Sequence, residues 1–126
     1  MEQERLREAP AERFDATSLV FDFKAEADAI RAEPVSSKHG HRQKALYKHG
    51  GRTIALFVME SGSMIPEHSA NGTVSIQPIE GEMEVSVAGE EHRLHGGQLL
   101  VISTGVRHEV RAKTDSVFVL QISLGA

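Results

Sequence analysis

The chain has 126 residues, 40% apolar and 25% charged, with 14 Lys and Arg against 18 Asp and Glu and a net charge of -4. That length suits one domain, because two cores of half the size would each bury too little surface, and the composition is that of a globular chain. The absence of Cys excludes disulfide frameworks, thiolate metal sites and cysteine nucleophiles. The mild acidity offers no basic surface for nucleic acid or an anionic membrane.

Residues 1–34 read as an N-terminal tail and a short helix, and residues 35–126 as a β domain. The opening MEQERLREAPAER is charged throughout and has no apolar core of the kind a secretion signal needs. No apolar run reaches the roughly 18–20 residues that cross a bilayer, so the cytoplasm is the expected location. After the apolar Leu19, Val20 and Phe21, the residues Phe23, Ala27 and Ile30 recur at helical spacing. Asp22 is placed to cap the first amides and Pro34 to stop the chain, which predicts a helix over 23–33.

Beyond Pro34 the period becomes two. Apolar segments at 43–48, 52–59, 73–79, 82–88, 91–95, 98–103, 107–113 and 116–124 are separated by turn residues, among them Gly50-Gly51, Asn71-Gly72, Gly81 and Gly96-Gly97. Short strands at this spacing indicate an all-β sandwich or barrel, and no connection is long enough for βαβ crossover helices. GEMEVSV alternates, with Met83, Val85 and Val87 on one face and Glu82, Glu84 and Ser86 on the other, so its outer face meets water. By contrast, 54–59, 99–102 and 117–120 are apolar on both faces and need an outer cover. The helix can shield one sheet only in part, so a second copy of the chain, a two-fold homodimer, is expected to supply the rest.

Two stretches carry a more specific signal. In the first, Gly62 is followed by His68, Ser69 and Ala70, then by Val74 and Gly81. In the second, Gly97 is followed by Ser103, Thr104 and Gly105, then by His108 and Ala112. The spacings of Gly62, His68, Gly81, Gly97, Gly105 and His108 resemble the paired motifs of the cupin superfamily, the small single-domain jelly-roll barrels. The resemblance implies a double-stranded β-helix with a pocket inside it. It also implies, in metal-binding members, one ion held by two His and a Glu of the first motif and one His of the second. Only His68 and His108 match that set. Ala70 stands at the second His and Val74 at the Glu, and neither has a donor atom, so the first motif is degenerate.

Catalytic metal sites generally use three protein ligands and an open position, which two neutral imidazoles do not provide. The sequence therefore favours a small-molecule-binding protein without a complete metal site. The alternative is a metal-dependent dioxygenase or isomerase that recruits His39 or His41 beside His68 and His108, with Fe, Mn, Ni or Zn as the ion suited to imidazole donors. His39 and His41 have the one-apart spacing that puts two strand residues on one side. His49, His92 and His95 adjoin turns and read as exposed, and Glu67 and Gln77 fall on outward parity.

The expected pocket places His68 and His108 across from each other, with burial lowering their proton affinity. Its wall is expected to hold Phe57, Met64, Ile65, Val74 and Ile76, with Met83, Val85, Val106 and Val110 completing it, so that a ligand is small with one polar end. Arg107 could clamp a carboxylate or phosphate at the rim, and Tyr47, the single Tyr, could act as an acid if its strand faces inward. No phosphate-binding loop, dinucleotide fingerprint, HExxH or GxSxG pattern is present.

Overall fold

The structure, a computed structural model, describes residues 17–34 and 40–124. One helix, α1 (Phe23–Arg31), precedes nine strands among those residues: β1 (His41–His49), β2 (Arg52–Met59), β3 (Met64–His68), β4 (Thr73–Glu80), β5 (Glu82–Val87), β6 (Glu90–His95), β7 (Leu100–Ile102), β8 (His108–Ala112) and β9 (Ser116–Ser123). They form two antiparallel sheets, β1-β2-β9-β4-β7 and β3-β8-β5-β6. The architecture is all-β. The eight expected strands are present to within a few residues at their ends, and a ninth, β3, lies where none was expected. Its sequence, MIPEH, does not alternate and contains Pro66, which cannot donate to a ladder; β3 is an edge strand, where that loss is tolerated.

Helix α1 starts where the carboxylate of Asp22 accepts a hydrogen bond from the Ala25 amide at 3.0 Å. Its end is held by Arg42, whose guanidinium donates to the Ile30 carbonyl at 2.7 Å. Ala27 and Ile30 are buried against Leu56 and Val58 of β2 and Val117 and Val119 of β9, with Phe21 and Phe23 packed alongside. The outer cover that these two strands require thus comes in large part from the chain's own helix. Val20 is 93% exposed and takes no part in this.

The main core lies between the sheets. Phe57, Ile76, Phe118 and Leu120 from one sheet meet Met83, Val85, Leu94 and Val110 from the other, and the rings of Phe57 and Phe118 stack with centroids 4.8 Å apart. The outer face of the second sheet is charged, as its alternation predicts. Glu84 sits opposite Arg93 and Arg111 on the flanking strands, and its hydrogen bond with Arg93 is the main reason its carboxyl titrates below the usual range. The turn into β5 needs a glycine. At Gly81 φ is +80°, and an added Cβ would collide with the Asp115 carbonyl and with Ser116.

Candidate functional site

His68 ends β3 and His108 begins β8, and the two are register partners beyond an irregularity that follows Ile65. Their rings meet edge to face with centroids 4.2 Å apart. The loop that leaves His68 and the loop that leads to His108 are tied together where the Gly105 amide donates to the Ala70 carbonyl at 3.0 Å. Gly105 adopts φ +78°, a conformation that side-chain-bearing residues rarely reach.

Each imidazole bonds to the backbone two residues before it. His68 Nδ1 lies 2.8 Å from the Pro66 carbonyl and His108 Nδ1 lies 3.1 Å from the Val106 carbonyl. A carbonyl oxygen only accepts, so Nδ1 carries the hydrogen in both rings, and in the neutral form Nε2 is left as an acceptor. His108 is 1% exposed, and its Nε2 has no hydrogen-bond partner among the described residues. An unsatisfied buried polar atom of this kind costs on the order of 1–3 kcal/mol, which a ligand donor would relieve. Burial is the first reason that His108 takes up a proton less readily than usual. The Val106 carbonyl opposes this, and the neighbouring His68 adds to it.

The side chains next to the pair on the inner face are mostly apolar. Val87 lies beside His108 in the register, and Val110 and Val85 form the next row. Ala70 and Val106 pack against the core edge, and Val74, in the sheet facing the pair, is buried at 2% exposure beside its ladder partner Ile102. Ala70 and Val74 thus bring methyl groups to the core where metal-binding relatives would bring donors. Among the described residues no group of three or more His, Cys, Asp or Glu is placed to hold an ion. The residues present do not fit the resident metal that the family pattern implies.

His41 does not join the pair. It sits opposite Met59, which in turn faces Ser116, and the Ser116 hydroxyl donates to the Glu82 carbonyl at the end of the barrel where β8 finishes. His108 begins β8, and the strand's five residues span about 13 Å. The pair and His41 therefore occupy opposite ends of the barrel, too far apart to share an ion. His39 lies outside the described residues. A pocket of 220 Å³ at the His41 end is lined by Arg31, Arg42, Glu60 and Asp115 among others. Its charges are largely matched: Arg31 with Glu80 at 3.1 Å, Arg42 with the helix end, and Asp115 with the Ser61 amide at 2.8 Å.

Of the other expected wall residues, Phe57, Ile76, Met83 and Val85 are buried in the inter-sheet core. Met64 is not part of it: it faces outward opposite Arg111 and is 43% exposed, because one residue's change of parity flips a strand side chain to the other face. Tyr47 follows a bulge in β1 and pairs with Ile54 of the helix-side cluster, its ring 6.2 Å from that of His49. The bulge resets the strand's parity, which spacing alone does not reveal. Arg107 is at the rim, but its guanidinium meets Glu67 at 3.2 Å. His92 shares the inner face with Val85, its side chain only 32% exposed, and lies 3.9 Å from Glu90. The carbonyls of Pro66 and Val106 were not legible as functional groups, since backbone atoms leave no signal in residue type.

A family model described as "Cupin domain" matches residues 55–124, more than half the chain. The chain belongs to the cupin superfamily. Comparison with curated protein sequences gives no match. Among solved structures, this cupin is similar to a protein of unknown function from Streptococcus pyogenes. That match has 18% identity and a TM-score of 0.72, and covers 95% of this chain and 99% of the other. It is also similar to KdgF from Halomonas sp., with 22% identity, a TM-score of 0.62, and coverage of 75% and 85%. A salicylate 1,2-dioxygenase from Pseudaminobacter salicylatoxidans matches at 17% identity and a TM-score of 0.65, with 75% of this chain covering 29% of that one. At these identities the likeness is one of fold.

Proposed function

We propose that this cupin binds a small molecule at the His68–His108 pair and does so without a resident metal ion. The observation that carries this reading is the donor set. Two imidazoles meet beside the apolar Ala70, Val87 and Val106, and the family positions that would complete an ion's coordination are Ala70 and Val74. Two neutral rings in that setting can accept hydrogen bonds from a ligand and can exchange a proton with it, the chemistry of a binding protein or a weak acid–base catalyst.

Elemental analysis of protein purified without a His tag tests it: Fe, Mn, Ni and Zn are each expected well below one per chain. Stoichiometric metal that disappears in His68→Ala would overturn it. The second reading is a metal-dependent oxygenase or isomerase. What favours it is the pair of Nδ1 bonds to carbonyls, because metal-ligating histidines are held in that way; the likeness to a salicylate 1,2-dioxygenase points the same way.

The homodimer belongs to the same proposal, on narrower ground than the strands first suggested. With α1 covering β2 and β9, the apolar surface left for a second copy includes Leu99 and Val101, each 59% exposed. Light scattering is expected to give about twice the 13.8 kDa chain mass, and 13.8 kDa at micromolar concentration would count against it.

A further inference from the structure

Resting on the reading above, we infer that the ligand at the His68–His108 pair is a neutral hydrogen-bond donor with an apolar body, an alcohol or a phenol, and not a carboxylate or a phosphate. The polarity of the site follows from its backbone. With both Nδ1 hydrogens spent on the carbonyls of Pro66 and Val106, each neutral ring offers only a lone pair at Nε2. An oxyanion brings lone pairs to lone pairs, whereas a hydroxyl brings the hydrogen that the buried Nε2 of His108 lacks among the described residues.

The surroundings reinforce this choice. Arg107, the cation nearest in sequence, is paired with Glu67 at the rim, so it does not attract an anion as an uncompensated charge would. Glu90 lies in the same cross-strand row as the pair, beyond Val87, and places a carboxylate on that side. The side chains packed at the core edge here, Ala70, Val87 and Val106, are apolar and suit the body of the ligand. His68 is only half-buried and meets solvent at the barrel end, while His108 lies behind it at 1% exposure, so a ligand reaches the inner Nε2 by way of the His68 ring.

Two matched pairs of probes test the inference on the full chain labelled with ¹⁵N-histidine, at neutral pH: phenol against benzoate, and cyclohexanol against cyclohexanecarboxylate. Long-range ¹H–¹⁵N correlation is expected to show hydrogen on Nδ1 in both rings before any probe is added. A hydrogen on Nε2 of either ring would overturn the inference without any variant having to fold. Phenol and cyclohexanol are expected to shift His108 Nε2 and to bind at least about tenfold more tightly than their carboxylates, with His108→Phe losing that margin. Carboxylates that bind as well or better, with shifts at the pair, would overturn the donor polarity and leave small-molecule binding standing. If none of the four probes moves either histidine, both readings fall.

Discussion

A histidine that is 1% exposed ties the site to the stability of the whole domain. His108 binds its proton less readily than the ordinary value near 6.5, chiefly because burial penalises the charged ring. In the unfolded chain that penalty is absent, so below about pH 6.5 the unfolded state holds a proton that the folded state does not, and acid favours unfolding. The group leaves stability intact above that pH and erodes it as pH falls. Urea denaturation at pH 7.5 and 5.5 is expected to show a loss on acidification, and the loss should be smaller in His108→Phe. Equal losses in both proteins would mean that other groups carry it. The presence of His108 inside the barrel was legible from its motif spacing, but the bond that sets its tautomer was not, because the Val106 carbonyl belongs to no residue type.

At the scale of elements, the helix and the strands were read with unequal success for a physical reason. Local signals decide α1: Asp22 caps it, Ala27 and Ile30 face inward, and the observed helix ends two residues short of the expected boundary. Asp22→Ala is expected to cost about 1 kcal/mol by chemical denaturation, since it orphans the Ala25 amide while leaving the packed face intact. The succession of apolar segments and turn residues also located β2, β4, β5 and β9. It failed for β3, where Pro66 and Glu67 break the alternation and pairing with β8 alone makes the segment a strand. Parity puts Tyr47 and Met64 off the inner face, one after a bulge and the other on that unexpected edge strand.

On the scale of the molecule, the ligand positions of the family come from both sheets: His68 and His108 from one, Val74 from the other, and Ala70 from the loop tied to Gly105. If they converge as the fold implies, Ala70→His combined with Val74→Glu should create a metal site. Calorimetry is expected to give stoichiometric Ni²⁺ binding by the double variant and not by the parent. Without metal the variant should melt lower, because it buries a carboxyl in the core. No binding by the double variant would show that the two sheets do not bring these positions together. The all-β class, the helix, the alternating faces and the two histidines were determined by the sequence itself, because periodicity, capping and motif spacing act through neighbours along the chain. Only the tertiary structure decided that His41 lies at the far end of the barrel, that α1 covers β2 and β9, and that Arg107 is matched by Glu67. Those facts depend on which strands pair and in what register, and pairing joins residues that no local pattern connects.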